Sequence, residues 1–275
     1  MFKFRIIGFT LLMGLLGGIF FWRPYGWYLF LAAAPLMTAL AVYECAKMLH
    51  DSGRKNFPAA AAGLFYITAM VMLFDRLSTA VVVCGAAASV GGGILLLMKK
   101  DELLEKLLAS GGVFMLLTPA MLGLLTSYNC TAGRAPVGAW LLFLCLATKA
   151  TDTGGYIVGT LTAKLPGGNH KIAPSLSPKK SWEGLAGGMI LSLTVGAIFA
   201  KFASYAPLWW YLSAAAVLSL GSFFGDLAES AVKRMCNVKD SGHWVPGMGG
   251  AFDVLDSFIF NGIVFPILIV VLEMI

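Results

Sequence analysis

The residues best suited to chemistry lie in one charged, glycine-rich segment between two long apolar runs. Asp253 and Asp256 stand three positions apart, so on a helix their carboxylates share one face. Two such carboxylates repel each other unless a cation lies between them, and oxygen ligands of this kind suit Mg²⁺. Asp226 ends the preceding apolar run, and on an antiparallel neighbouring helix it would lie at matching depth. The pattern therefore predicts a metal site of Asp226, Asp253 and Asp256, with helix capping by each acid as the alternative.

Cations and glycines accompany these acids. Lys233, Arg234 and Lys239 precede the glycines Gly249 and Gly250. Cationic side chains and accessible glycine N–H groups are what a polyphosphate requires as partners. The alternative is that membrane topology alone explains the basic residues and that the glycines form a turn.

A second segment, SLSPKKSWEGLAGG, opens a later apolar run. Ser177, followed by proline, predicts the start of a helix, and Ser181 adds capping capacity. Lys179 and Lys180 would then combine their charge with the helix dipole and form an anion site. Upstream, the sequence TDTGGY contains Asp152 as a further candidate acid. Lys149, three residues earlier, is an ion-pair partner for it in the alternative interpretation.

The remainder of the chain is strongly apolar. Of its 275 residues, 59% are hydrophobic and 12% are charged, with a mean hydropathy of +0.82. This composition excludes a soluble protein with one buried core and predicts an integral membrane protein. The net charge of +6 is not concentrated in a soluble basic domain, so no nucleic-acid partner is expected. The five cysteines show no metal-ligand spacing and are interpreted as packing residues.

Apolar segments of about 20 residues predict membrane-spanning helices, and hence an all-α, polytopic transmembrane helical bundle. With the amino terminus in the cytoplasm, sixteen of the twenty Lys and Arg residues fall on the inner side, as the positive-inside rule requires. This count favours nine spans, with the carboxyl terminus outside. The predicted spans are 5–22, 26–43, 57–74, 77–98, 107–127, 135–151, 184–204, 207–225 and 254–273.

The polar residues of interest are concentrated in the carboxyl-terminal half. We expect a single domain over residues 1–275, in which 1–130 form a helical scaffold and 131–275 form the catalytic half. The two longest predicted loops, 152–183 and 226–252, both face the cytoplasm in this topology. A water-soluble substrate would therefore arrive there.

The charged segment resembles the signature of the phosphatidate cytidylyltransferases, membrane enzymes that make CDP-diacylglycerol from CTP and phosphatidic acid. Two further blocks are similar to the same family: SPKKSWEG to its Ser-Pro-Lys-Lys-Thr-Trp-Glu-Gly, and DTGGY to its Asp-Thr-Gly-Ala-Tyr. The chain differs from the signature at Met248 and Val254, where the family has His and Arg. The matching elements are Ser230, Lys233, Arg234, Lys239, Asp240, Pro246, Gly249, Gly250, Asp253 and Asp256.

The resemblance implies a nucleotidyltransferase of phospholipid biosynthesis. Asp226 and Asp253 would hold a catalytic Mg²⁺, with a second cation such as K⁺ left open, and Asp256 would support them. Asp152 would hold a metal-bound water or the nucleotide. Lys239 and Asp240 would belong to the catalytic group. The residues expected to bind substrate are Ser177, Lys179, Lys180, Lys233, Arg234, Gly249 and Gly250.

The resemblance and the topology imply an integral protein of the bacterial inner (plasma) membrane whose active site faces the cytoplasm. Its partners would be CTP, phosphatidic acid and the bilayer, and a homodimer is left open. One alternative is a CDP-alcohol phosphatidyltransferase, although the chain contains no Asp-Gly pair with which that family's motif begins. The other is a cation- or proton-coupled transporter, whose acids would lie at the bilayer midplane rather than beside lysines at its inner surface.

Overall fold

The computed structural model describes residues 14–22, 25–53, 117–244 and 249–274. These residues are mainly helical, with one short hairpin, which confirms the predicted helical class. Residues 14–21 and 117–129 are helical, and Ala132–Arg134 form a 3₁₀ turn. The other elements are α1 (Gly26–Asp51), α2 (Ala139–Thr162), β1 (Lys171–Ala173), β2 (Ser177–Ser181), α3 (Trp182–Phe202), α4 (Leu208–Met235), α5 (Ala251–Leu255) and α6 (Phe258–Glu273).

Within the described ranges, four segments are long and apolar enough to cross a membrane: Gly26–Asp51, Trp182–Phe202, Leu208–Met235 and Ala251–Glu273. They correspond to the second, seventh, eighth and ninth predicted spans. The predicted spans 57–74 and 77–98 lie outside the described residues, as do parts of 5–22 and 107–127. The total of nine spans and the orientation therefore stay predictions.

Two helices continue beyond the ends of the predicted spans. Helix α2 ends at Thr162 and α4 at Met235, so both helices extend into the predicted segments 152–183 and 226–252. The cytoplasmic placement of these segments stays a prediction. Hydropathy identifies the part of a helix that tolerates lipid, whereas a helix continues for as long as its backbone hydrogen bonds and packing permit. Asp152 and Asp226 consequently lie within helices α2 and α4.

Helix α2 contains several glycines, which pack closely against α3. A Cβ atom added at Gly154 would lie 2.5 Å from the carbonyl oxygen of Gly187, and one at Gly188 would lie 2.7 Å from that of Thr151. Small residues at matching positions let two helix backbones approach closely in an apolar environment. The glycines of TDTGGY and WEGLAGG thus form a helix–helix interface, which fixes Asp152 on a rigid element.

The segment around Ser177 forms a strand, not the start of a helix. Strands β1 and β2 are antiparallel, and Lys171 pairs with Ser181. Helix α3 begins only at Trp182, where the Oγ atom of Ser181 accepts a hydrogen bond from the N–H of Gly184 at 3.1 Å. The helix start predicted at Ser177 was therefore wrong, while the capping role of Ser181 is confirmed. Extended backbone pairing and the Ser181 cap outweigh the helix-start preference of Ser-Pro.

The chain groups into two compact units. The first comprises Met1–Leu122 with Val232–Asp256, and the second comprises Gly123–Ala231 with Ser257–Ile275. Helix α4 contributes residues to both units. The predicted division into scaffold 1–130 and catalytic half 131–275 stays a prediction.

In the second unit, buried aromatic and amide groups join α2, α4 and α6. The rings of Trp140 and Trp210 lie 5.1 Å apart, and Phe265 packs against both. The Nδ2 atom of Asn261, on α6, donates to the Thr148 hydroxyl at 2.8 Å and to the Leu218 carbonyl at 2.9 Å. These contacts hold the three helices in a fixed register near the candidate site.

We expect Gly154→Ala to destabilise the protein, because the added methyl group meets the backbone of Gly187 and Gly188. Overpacking of this kind costs about 1–3 kcal/mol, which exceeds the gain in helix propensity. Thermal unfolding in detergent measures the effect. Gly17→Ala is the matched control, because a Cβ atom there meets nothing within 4 Å; equal changes in the two variants would contradict the proposed close packing.

Candidate active site

Two carboxylates from different helices meet at one hydroxyl in the second unit. The Oγ atom of Ser257 lies 3.0 Å from Oδ2 of Asp152 and 3.2 Å from Oδ1 of Asp226. Ser222, one turn before Asp226 on α4, donates to Oδ1 of Asp152 at 2.8 Å. Because a hydroxyl has only one proton to donate, Ser257 serves one carboxylate at a time. We use the term carboxylate cluster for the two acids Asp152 and Asp226, the hydroxyls of Ser222 and Ser257, and the lysines Lys149 and Lys180.

Lys149 and Lys180 balance the charge of these carboxylates. Nζ of Lys149 lies 2.9 Å from Asp152, and Nζ of Lys180 lies 2.8 Å from Asp226. The ion-pair interpretation of Lys149 is thereby confirmed. Lys180 also donates to the carbonyl of Phe223 at 3.1 Å and lies 4.7 Å from the centre of its ring. Burial raises the pKa of Asp152, but the Lys149 charge and the hydroxyl hydrogen bonds lower it below its ordinary value overall.

A cavity of about 430 Å³ opens beside the carboxylate cluster. This volume lies within the usual range for small-molecule sites. Lysine side chains, glycine backbone and two aromatic rings surround the space, so it offers positive charge close to two acids. Its lining includes Asp152, Gly155, Tyr156, Gly159, Lys171, Lys179, Lys180, Gly184, Phe223 and Asp226.

Of the binding residues predicted in the segment SLSPKKSWEGLAGG, the two lysines line the cavity and Ser177 does not. Lys179 and Lys180 both line the cavity, although Lys179 is exposed and Lys180 is half-buried. Ser177 is half-buried on β2 and is not among the described residues that line the cavity. The expected anion site at a helix amino terminus is replaced by a strand that carries two lysines along the cavity wall.

In the first unit, Asp253 is held by several donors at the start of α5. Its carboxylate accepts from the N–H of Gly250 at 2.9 Å and from that of Ser241 at 3.2 Å. Lys233 lies 3.2 Å from its Oδ1 atom, and the two side chains are only 15% and 9% exposed. Asp253 therefore caps α5, as the alternative interpretation held, and also forms a largely buried ion pair.

The other residues of the family signature lie close to Lys233 and Asp253 in the amino-acid sequence. Gly249 has φ +103°, and a side chain there would collide with the Asp253 carboxylate, so glycine is required by both conformation and space. Asp256 follows α5 as its C-cap. Arg234, Lys239 and Asp240 are exposed. Pro246 and Met248 lie outside the described residues.

Asp226 and Asp253 belong to different units, so their shared metal site stays a prediction. Among the described residues, no group of three acidic, histidine or cysteine side chains is placed to hold a metal ion. The carboxylate cluster nevertheless offers two carboxylates and two hydroxyls. These are hard oxygen donors, and Mg²⁺ commonly binds through one or two carboxylates together with substrate phosphates. The donor set of the cluster therefore fits Mg²⁺.

Sequence reasoning missed three residues. Ser222 lies four positions before Asp226, a helical spacing that places both on one face and could have identified it. Ser257 follows Asp256 directly but gave no signal of its own. Glu44 is a buried acid at the end of an apolar run and accepts hydrogen bonds from Ser241 and Phe252; an ionisable residue in such surroundings is an indication of function.

The family model for the cytidylyltransferase family matches residues 3–272. The chain belongs to this family. Among similar proteins, the phosphatidate cytidylyltransferase of Staphylococcus saprophyticus is 43% identical over 122 residues, which are 44% of this chain and 45% of that protein. That of Staphylococcus haemolyticus is 39% identical over 148 residues, 54% of this chain and 55% of that protein. That of Bacillus subtilis is 39% identical over 122 residues, 44% of each chain.

The chain thus spans about half the length of the curated relatives it matches. Membership of the family confirms the resemblance of the sequence motifs. Val254, which stands where the family signature has Arg, is buried within α5 and only 8% exposed. A guanidinium group there would require its neighbours to move, so the apolar residue at this position matches its surroundings.

We expect Lys180→Met to destabilise the protein, because it leaves the Asp226 carboxylate without its ammonium partner. The two side chains are 17% and 27% exposed, and a buried polar group left unpaired costs about 1–3 kcal/mol. Lys179→Met is the matched control, since Lys179 is an exposed neighbour on the same strand. Thermal unfolding in detergent compares them, and equal transition temperatures would show that the ion pair adds no stability.

Proposed function

We propose that this protein is a phosphatidate cytidylyltransferase, which converts CTP and phosphatidate into CDP-diacylglycerol and pyrophosphate in phospholipid biosynthesis. The observation that carries the proposal is the carboxylate cluster beside a lysine-lined cavity, in a chain of the cytidylyltransferase family. The names of the similar bacterial proteins support the same reaction.

The reaction requires positioning more than proton transfer. A phosphate oxygen of phosphatidate attacks the α-phosphorus of CTP, and the bond from that phosphorus to the departing pyrophosphate breaks. Because a phosphomonoester is already ionised near neutral pH, no strong general base is needed. Negative charge accumulates on the phosphate oxygens, and fixed cationic groups that face this charge lower the barrier.

The cavity supplies such groups. Lys171, Lys179 and Lys180 line it, together with the backbone of three glycines. A triphosphate in this space competes with Asp226 for Lys180, since both are anions within reach of the same ammonium group. Substrate binding would then loosen the Lys180–Asp226 ion pair and leave a carboxylate able to accept another cation.

Mg²⁺ is the cation that this arrangement fits. Asp226 and Asp152 would hold it, with the Ser222 and Ser257 hydroxyls as further oxygen ligands. When bound, it supplies charge neutralisation for the reacting phosphates. The family resemblance gives Asp253 and Asp256 catalytic roles as well, and the buried ion pair of Asp253 with Lys233 keeps that carboxylate in a fixed position.

The cellular setting follows from the substrates. CTP is water-soluble and phosphatidate is a lipid, so the active site belongs at the surface of a membrane. The excess of Lys and Arg in the predicted inner loops supports a site that faces the cytoplasm. The bacterial source of the similar proteins supports location in a bacterial inner membrane.

The proposed activity predicts a labelled CDP-lipid when the purified protein receives labelled CTP, phosphatidate and Mg²⁺ in detergent or vesicles. Replacing phosphatidate with diacylglycerol should abolish the product, because the attacking phosphate is missing. Chelation of Mg²⁺ should also abolish it, and added Mg²⁺ should restore it. Absence of any CDP-lipid under the complete conditions, with the protein folded, would contradict the proposal.

We further expect Asp152→Asn, Asp226→Asn and Asp253→Asn each to lower turnover about a hundredfold or more, the scale for losing one charge-stabilising group. Asp256→Asn should be milder if that side chain only supports the others. Asp51→Asn, an exposed acid at the end of α1, is the control and should retain activity. Near-normal turnover in any of the first three variants would remove that residue from the catalytic group.

A further inference from the structure

Helix α1 carries an acid that belongs to none of the three motifs. Glu44 is only 3% exposed and lies on a helix that is apolar enough to span a membrane. A carboxylate in such surroundings is costly unless donors compensate it. Its partners therefore indicate what it does.

Glu44 binds two points of the first unit that are distant from it in sequence. Its Oε2 atom accepts from the Ser241 hydroxyl at 2.9 Å and from the N–H of Phe252 at 3.0 Å. Ser241 follows the end of α4, and Phe252 lies in the first turn of α5. One carboxylate oxygen thus joins the two chain segments that flank the signature glycines.

The same two segments hold Asp253. The N–H of Ser241 contacts both carboxylate oxygens of Asp253 at 3.2 Å, and Phe252 is its neighbour in the chain. Glu44 does not touch Asp253 in these contacts, but it fixes the groups on either side of it. A shift of Ser241 would change the direction of its N–H and, with it, the position of the Asp253 carboxylate.

The packing around Glu44 leaves little freedom. Side chains at Gly242 or Gly250 would collide with its carboxylate, so both glycines allow close approach to it. Its other oxygen, Oε1, is buried and has no hydrogen-bond partner among the described residues.

We propose that Glu44 is a positioning residue of the transferase, which fixes Ser241 and the start of α5 and thereby orients the Asp253 carboxylate. The inference rests on the proposed function for its effect on turnover. Its structural part, the attachment of Ser241 to α1, stands independently of the reaction. The role requires a hydrogen-bond acceptor and no proton transfer.

The kinetic test compares Glu44→Ala, Glu44→Gln and Thr38→Val. Glu44→Ala should lower kcat by about 10- to 100-fold, the scale for losing a residue that supports a ligand, while KM for CTP changes little. Glu44→Gln retains an acceptor oxygen of nearly the same reach and should keep most of the activity. Thr38 is the control, because it is buried on the same helix and its hydroxyl donates to the carbonyl of Ala34 within that helix.

A double variant tests the route through Asp253. If Glu44 acts by orienting that carboxylate, Glu44→Ala should add little to the loss already caused by Asp253→Asn, since neighbouring sites that act as a unit are not additive. Fully additive losses would overturn the proposal. Equal losses in Glu44→Ala and Glu44→Gln would also overturn it, because the retained acceptor would then have no value.

A readout independent of activity is trypsin cleavage after Lys239, which is exposed and two residues before Ser241. Glu44→Ala should speed this cleavage under native conditions, whereas Thr38→Val and Glu44→Gln should not. Cleavage at the wild-type rate in Glu44→Ala would contradict the attachment. If the wild-type protein makes no CDP-lipid, the proposed function fails, but this proteolysis result still decides whether Glu44 holds Ser241.

Discussion

The ion pair between Lys180 and Asp226 joins elements that lie far apart in the sequence. Lys180 comes from the hairpin strand β2 and Asp226 from helix α4, and Ser257 then links Asp226 to Asp152 of helix α2. A carboxylate in a mainly apolar protein is stable only where such donors reach it. Compensation of these charges therefore dictates where the hairpin, α2, α4 and the start of α6 lie within the second unit.

The glycine interface between α2 and α3 is the geometric condition for that compensation. Because Gly154 and Gly188 remove side chains from the contact, the two backbones approach closely. Ser181 ends β2 and caps α3, so this approach also fixes the strand that carries Lys180. The Asn169 side chain reinforces it by donating to the carbonyl of Gly159 at 2.8 Å. The interface glycines and the Ser181 cap are thus local features of the sequence that determine where the Lys180 charge lies.

The sequence predicted element types and several partners well, and positions across the fold less well. Four spans, the Lys149–Asp152 pair and the capping role of Ser181 could be predicted, because each depends on residues close in the chain or on hydropathy. The strand at Ser177 and the helical placement of Asp152 could not, because they depend on pairing with β1 and packing against α3. Ser257, which links Asp152 with Asp226, is more than a hundred residues from Asp152 in the sequence, and no local pattern predicts this contact.

The capping contacts of Asp253 are compatible with the catalytic role proposed for it. A catalytic carboxylate is useful only when its direction is fixed before substrate arrives. The N–H groups of Gly250 and Ser241 provide that direction, while the Lys233 ammonium balances the charge. Asp152 is restrained in the same way, because its Oδ1 atom accepts from the Ser222 hydroxyl and its Oδ2 atom accepts from the Lys149 ammonium group. In both places the hydrogen bonds that stabilise the fold also reduce the number of orientations available to an acid.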